Sequence, residues 1–402
     1  MGRNVPQLRF PEFTAEWEEK TLGDIGKFRK GKLVSSSNVT DSGVPAMMYG
    51  DIYVKYNIDF DSVDYRVSEE MAENCVKIHK GDLLFTCSGE TDIDIAKCVC
   101  YTGSDEVCIG GDILALTPEK DDSLFVAQHQ NTYKTAVQKA RVSQGHSVVH
   151  IYEQQLSALP IHLPCKEEQE KISQFLSKYD KLIRNQEEKI SALKERKQGL
   201  LKKIFTQQVR FKDQDGNDYP AWEEKTLRGI CDIKMCKRVM KHDTAPTGEI
   251  PFFKIGTLGG EPDAYISRAL FEELKTKYNY PLTGEVMMTC SGTTGNCIQF
   301  DGEDSYYQDS NIVWIANDKT IYNNDFLFQF FRQYKWNALE GGTIKRIYTD
   351  DVYNAKIPTP CKEEQQRIVD ILSAFDKKIE IEQEILNNMQ EFKKGLLQKM
   401  FI

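Results

Sequence analysis

The chain has 402 residues, 40% of them hydrophobic, with 52 Lys and Arg against 61 Asp and Glu and a formal net charge of −9. That length supplies two or three well-buried domains, and the absence of any apolar run of about 18 residues argues against a membrane span. Eleven cysteines, an odd number scattered through the chain, read as reduced thiols and not as a disulfide framework, so a cytoplasmic protein is expected.

The elements come in pairs. Leu8-Arg9-Phe10 returns as Val209-Arg210-Phe211, and Trp17-Glu18-Glu19-Lys20-Thr21-Leu22 as Trp222-Glu223-Glu224-Lys225-Thr226-Leu227. Next come short strands over 82–86 and 285–289, following Gly81 and Gly284, each running into Thr-Cys-Ser-Gly at 86–89 and 289–292. A second matched strand pair covers 113–116 and 312–315, and helices are expected over 125–139 and 326–336. Pro164-Cys165-Lys166-Glu167-Glu168-Gln169 returns as Pro360-Cys361-Lys362-Glu363-Glu364-Gln365, and Lys197-Gln198-Gly199-Leu200-Leu201 as Lys393-Lys394-Gly395-Leu396-Leu397. One duplicated unit of about 200 residues explains the shared order.

The spacing between copies is informative. It is 205 from Trp17 to Trp222 and 203 from Cys87 to Cys290, but stays at 196 from Ile151-Tyr152 and Ile347-Tyr348 to the chain end. Drift means insertions and deletions, which surface loops tolerate. A fixed offset means an element whose length cannot change. Each half is therefore a variable mixed α/β domain followed by a length-locked part.

The locked parts read as long helices. Ile172, Leu176, Tyr179, Ile183, Leu193 and Leu200 recur at spacings of three and four, matched by Ile368, Leu372, Phe375, Ile379, Met389 and Leu396. That is a coiled-coil seam. Pro164 and Pro360 mark the start, and Glu167, Glu168, Glu363 and Glu364 suit the positive end of the helix dipole. Polar residues interrupt the seam at Gln186 and Glu382, the same position in both copies, and read as a register-setting pair, against the alternative of a functional contact. Equal lengths and matching seams predict an antiparallel pairing. About forty residues at 1.5 Å each would give a rod of roughly 60 Å. The expected architecture is α+β: a first domain over 1–160, a central helix over 161–208, a second domain over 209–357 and a C-terminal helix over 358–402.

This arrangement resembles the specificity subunit of type I restriction-modification systems. The residues that carry the likeness are Ile161-His162-Leu163-Pro164 with Glu168-Gln169-Glu170-Lys171-Ile172, and Ile357-Pro358-Thr359-Pro360 with Glu364-Gln365-Gln366-Arg367-Ile368. The Trp-Glu-Glu-Lys-Thr-Leu starts and the run Gly341-Gly342-Thr343-Ile344-Lys345-Arg346-Ile347-Tyr348 also fit, and the likeness covers the whole chain. It implies a non-catalytic subunit whose two target recognition domains read a split, asymmetric site on double-stranded DNA. It further implies helices that dock two methyltransferase subunits making N6-methyladenine, with restriction and translocase subunits joining that core. No cofactor is expected in this chain; S-adenosylmethionine, ATP and Mg belong to the partners. The first copy departs from the second in one place, where 145–152 lacks the Lys-Arg pair.

Candidate DNA contacts come from the basic residues. Lys27, Arg29, Lys30 and Lys32 cluster early in the first domain, and Lys234, Lys237, Arg238 and Lys241 at the corresponding place in the second. Recurring basic groups in acidic domains suggest a phosphate-facing edge, against the alternative of a solvated loop. Lys345 and Arg346, beside two glycines, could approach a backbone or a guanine edge. Thr86, Ser88, Thr289 and Ser291 sit in small-residue turns where a hydroxyl could bond a phosphate, or simply form the turn.

No methyltransferase Asn/Asp-Pro-Pro-aromatic motif and no Gly-x-x-x-x-Gly-Lys-Ser/Thr phosphate loop occurs, so catalysis is not expected here. Cys87 and Cys290 lack a repeated His partner, and Cys98, Cys100, Cys108, Cys231 and Cys236 are spaced too irregularly for zinc; buried thiols are expected. The net negative charge argues against independent tight DNA binding. It leaves open an alternative, a coiled-coil scaffold that binds proteins and never touches DNA.

Overall fold

The computed structural model describes residues 4–145, 148–309, 311–336 and 346–402. The chain forms two compact units, Met1–Glu188 with Glu384–Ile402, and Lys189–Gln383. Each unit combines one α/β domain with one segment of each long helix.

In the first unit a five-stranded sheet orders Gly26–Lys30, Ile113–Pro118, Leu83–Thr86, Cys98–Tyr101 and Asp59–Phe60. The Leu83–Thr86 and Cys98–Tyr101 strands are buried along their whole length, which is why they read as short unbroken apolar runs. A four-stranded sheet runs from Tyr65–Val67 through Val44–Met47 and Val107–Ile109 to Val76–Ile78. The second unit repeats this plan with fewer strands: Asp232–Lys234, Ile312–Ala316, Val286–Thr289 and Cys297–Gln299 in one sheet, and Tyr265–Ile266, Ile250–Phe253 and Tyr306–Tyr307 in the other.

A turn precedes the matched central strands. Gly81 and Gly284 take φ of +94° and +85°, a region that glycine adopts without strain. The next residue is acidic in both copies and locks the turn. Asp82 accepts from the His79 backbone N–H at 2.9 Å, and Glu285 from that of Leu282 at 2.8 Å.

One expected helix is divided. Residues 125–139 fall in two helices, Ser123–Gln130 and Tyr133–Val142. The Asn131 amide turns back onto the Ala127 carbonyl at 2.9 Å, while the Thr132 side chain caps the second helix, so two side-chain caps compete with the helical hydrogen bonds there. In the second unit the helix is Asn324–Phe331.

The duplicated helix-opening motif is a lock. Glu168 and Glu364 are wholly buried. Arg9 grips Glu168 with two N–H···O bonds of 2.7 Å, and Arg210 grips Glu364 at 2.8 and 3.3 Å, joined by the Trp222 indole N–H at 2.7 Å. Gln169 accepts from the backbone N–H of Asp122 and donates to the Pro164 carbonyl. Gln365 does the same with Asn323 and Pro360, at the same 2.8 and 3.0 Å. The Leu-Arg-Phe and Glu-Gln repeats are thus two sides of one joint. Helix-dipole complementarity alone understates what Glu168 and Glu364 do.

The long helices span Lys166–Phe205 and Lys362–Met400. In the first unit Tyr179 packs on Phe392 with ring centroids 5.6 Å apart, Asp180 pairs with Lys393, and Gln390 donates to Glu187. In the second, Lys189 meets Glu382 at 2.7 Å and Lys197 meets Asp376 at 2.6 Å. As one number rises the other falls, so the pairing is antiparallel. Of the expected seam, Ile172, Leu176, Ile183, Leu193, Ile368, Leu372 and Leu396 are buried, while Tyr179, Leu200, Phe375, Ile379 and Met389 are half-buried. The apolar pattern missed Asp180 and Lys197, which are buried in the seam as charged groups and not as hydrophobes.

The helix ends finish the cores. Phe401 lies against Trp17 and Phe125 in the first unit, at centroid distances of 6.5 and 5.2 Å. Phe205 does the same with Trp222 and Phe326 in the second, at 6.5 and 5.5 Å. The backbone repeats the equivalence. Leu8 N–H donates to the Lys399 carbonyl at 2.8 Å, and Val209 N–H to that of Lys203 at 3.2 Å.

Candidate nucleic-acid interface

Strand register aligns the two basic groups. Ile113 faces Thr86 as Ile312 faces Thr289, which matches Leu116 with Ile315. Those two face Phe28 and Ile233. Arg29 therefore corresponds to Lys234, and Lys30 to Met235.

Arg29 is not free to meet DNA. Its guanidinium sits 2.6 Å from the buried Asp82 carboxylate and also donates to the Lys77 carbonyl and the Thr117 hydroxyl. Lys234 lies near the matching acid. Glu285 is buried, and burial pushes its carboxyl above the usual range, with Lys234 opposing that shift. Arg29 belongs to the turn lock of its domain, a correction to its place in a phosphate-facing edge, whereas Lys234 is half-buried with its ammonium 3.9 Å from the Asp232 carboxylate.

The remaining cations are more available. Lys27, Lys30, Lys32 and Lys241 are exposed, with no ion pair among the described residues. Lys237 lies over the Tyr278 ring at 5.2 Å, and Arg238 pairs with Asp309 at 2.8 Å. Arg346 is exposed, with its guanidinium carbon 5.7 Å from the Tyr348 ring centroid. Lys345 lies outside the described residues.

The four hydroxyls are committed inside the fold. Thr86 and Thr289 are fully buried, donating to the Tyr53 hydroxyl at 2.7 Å and to the Thr293 carbonyl. They are turn-formers closed to phosphate. Ser88 and Ser291 are buried as well; Ser88 Oγ lies 3.1 Å from His150 Nδ1, and Ser291 donates to Asn311 at 2.8 Å.

These serines mark a site that basic-residue counting missed. Ser88 pairs with His150 in a short antiparallel ladder, and Ser291 bridges Arg346 in the same sense. Ile151 N–H donates to the Cys87 carbonyl at 3.0 Å, and Ile347 N–H to that of Cys290 at 2.8 Å. His150 and Arg346 are equivalent, each followed two residues later by a half-exposed tyrosine, Tyr152 or Tyr348. The duplicated Ile-Tyr at 151–152 and 347–348 is the signal in the sequence that marks this site. In the first domain a recess of about 220 Å³ brings Lys30, Ser88, Asp112, His150, Tyr152 and Glu153 together.

The cysteines here are poor nucleophiles. Burial pushes the Cys87 thiol up to about 12 and Cys290 to about 11, against opposing effects of Lys30 and Arg346, so both are protonated near neutrality. Among the described residues no group of three or more His, Cys, Asp or Glu could hold a metal ion, and no helix is long and apolar enough to cross a membrane.

The type I restriction modification DNA specificity domain matches residues 14–195 and again 220–391. The chain belongs to that specificity family. A type I restriction enzyme specificity subunit of Haemophilus influenzae is 51% identical over 150 residues, 37% of this chain and 39% of that one. The MjaX specificity subunit of Methanocaldococcus jannaschii is 27% identical over 98% of this chain and 95% of its own. Among solved structures, the type I restriction-modification S subunit of M. genitalium superposes with a TM-score of 0.57 at 14% identity, covering 99% of both chains. A structure concerned with complex assembly and conformational transition of the type I system gives 0.60 at 16%, covering 96% of this chain and 97% of that one. These two establish the family fold, with its two domains of mixed sheet and helix and its pair of long helices.

Proposed function

We propose that this specificity-family chain reads a split, asymmetric site on double-stranded DNA, one half with each globular domain, as part of a cytoplasmic complex. The observation that carries the reading is one repeated frame bearing different side chains. The Cys-Ser turn, its ladder partner and the following tyrosine recur, while His150 in one copy stands where Arg346 stands in the other. Two related readers of different content suit an asymmetric target.

The helices are the docking element for two methyltransferase subunits, with restriction and translocase subunits added to that core. Phe175, Leu182, Ile385 and Phe392 in one unit and Ile381 in the other are exposed apolar residues on the long helices, of the kind a docked partner would cover. Those partners carry S-adenosylmethionine, ATP and Mg and perform the chemistry. They also supply positive charge that a chain of net charge −9 lacks. Comparing the source cell's methylome with and without this gene tests the reading. Loss of N6-methyladenine from one split motif supports it; an unchanged methylome in cells expressing the whole system sinks it.

The acidic balance favours one other reading, a helical scaffold that binds proteins alone. A gel shift by the assembled complex separates the two, since counterion release makes only a phosphate binder steeply salt-dependent.

A further inference from the structure

Resting on the DNA-reading assignment above, we propose that the recess beside the Cys87-Ser88 turn, and the equivalent surface beside Cys290-Ser291, are where the two domains each read a base edge. Arg346 forks to a guanine in the second half-site. Lys30, Asp112 and His150 offer a mixed donor and acceptor set to an amino-bearing base in the first.

The frame is common to both domains. Cys87 N–H donates to the Asp112 carbonyl at 2.8 Å, and Cys290 N–H to that of Asn311 at 2.7 Å. Ile151 and Ile347 are buried, and successive side chains in extended backbone alternate in direction. The residues on either side, His150 with Tyr152 and Arg346 with Tyr348, therefore turn away from the core. Tyr152 and Tyr348 are 53% and 56% exposed. On this fixed frame the polar groups change: Lys30 corresponds to Met235, Asp112 to Asn311, His150 to Arg346 and Glu153 to Thr349. A shared scaffold with exchanged donors and acceptors is what two readers of different sequences require.

A phosphate site fits less well. Two carboxylates, Asp112 and Glu153, line the first recess and would repel a phosphodiester. They would instead accept from the amino group of adenine or cytosine, with Lys30 beside them as donor. His150 Nδ1 is engaged by Ser88, and among the described residues Nε2 has no partner. In the second domain Asn311 Oδ1 takes the Ser291 hydroxyl, which leaves its amide as a donor beside the Arg346 fork. An all-donor set matches guanine, whose major-groove edge offers two acceptors, O6 and N7.

The test uses the complex assembled with its methyltransferase partners, binding duplexes in which each base of both half-sites is varied. Arg346→Ala should cut the preference for guanine at one position of the second half-site by roughly fivefold or more and leave the first half-site unchanged. Asp112→Asn should alter one position of the first half-site only. Arg346→Lys keeps the charge but not the fork, so it should lose the same guanine preference; it carries the test if the alanine variant fails to assemble. Equal weakening on every duplex with a shallower salt dependence would mean a phosphate contact and overturn the proposal. Unchanged reading by variants that fold and assemble would overturn it too. A wild-type complex that recognises no split motif would instead sink the DNA reading itself.

Discussion

Lys197 donates to both carboxylate oxygens of Asp376 at 2.6 Å, and Asp180 pairs with Lys393 in the other unit. Asp180 and Asp376 are copies of one residue, as are Lys197 and Lys393, so one ion pair has been made twice with its partners exchanged. Each pair lies among the apolar residues of the seam. Removing one member of a buried pair is costlier than replacing both by apolar groups. Asp376→Ala, which leaves the buried Lys197 ammonium unpaired, should lower stability in urea unfolding by on the order of 3 kcal/mol, and Lys197→Met with Asp376→Leu by far less. A single variant within about 0.5 kcal/mol of wild type would show that the seam does not depend on the pair.

The helix-opening lock predicts a sharp contrast between adjacent residues. Glu364 is buried and holds Arg210 and Trp222, whereas Glu363 is largely open to solvent. Glu364→Ala should cost about 3–5 kcal/mol, since it leaves a partly buried guanidinium unpaired. Glu363→Ala should stay within about 0.5 kcal/mol. Equal effects of the two would place the stabilisation in the helix dipole and not in the arginine joint.

Acid should act on the first domain through His129. This side chain is buried, its Nε2 has no hydrogen-bond partner among the described residues, and burial pulls its pKa down from 6.5 to about 3. Between those values the unfolded chain holds a proton that the folded one refuses, so stability falls as pH drops from about 6.5 toward 3. A tenfold change in proton affinity corresponds to about 1.4 kcal/mol, so the full loss amounts to several kcal/mol. Phe330 holds the equivalent position in the second domain, so His129→Phe is a natural replacement. The difference in stability between the two proteins should grow with acidity over that range; a constant difference would refute the assignment.

Binding and folding roles can be separated among the basic residues. Arg29→Gln should lower thermal stability by breaking the Asp82 lock, with the salt dependence of DNA binding unchanged. Lys32 is exposed and unpaired among the described residues. If it faces a phosphate, Lys32→Gln should reduce the salt slope of the assembled complex by about 0.9 without changing stability. The reverse pattern would reverse the two assignments.

How far the sequence revealed this depended on whether a feature was periodic or local. The duplication, the matched central strands and the two helices leave signals of fixed spacing, and all were legible. Asp180 and Lys197 were not, because a charged residue at a seam position looks like an interruption until its partner on the other helix is seen. Arg29 misled for a similar reason: a lysine-rich cluster hides the one member whose acid, Asp82, lies 53 residues away. Within the candidate site, Lys30, Ser88, Ser291 and Arg346 could be named from sequence. The equivalence of His150 and Arg346 required the ladder that pairs each with its serine.

The hydrogen bond from Leu8 to Lys399 has its twin in the bond from Val209 to Lys203, yet the two differ in what joins them. In one unit a few residues of chain, including Gln207 with φ of +56°, carry the helix end on into the segment that bonds back to it. In the other, the same two segments meet although Leu8 and Lys399 lie far apart in sequence, and the aromatic contacts of Phe401 still mirror those of Phe205. The joint is therefore specified by its packing and not by closeness in sequence.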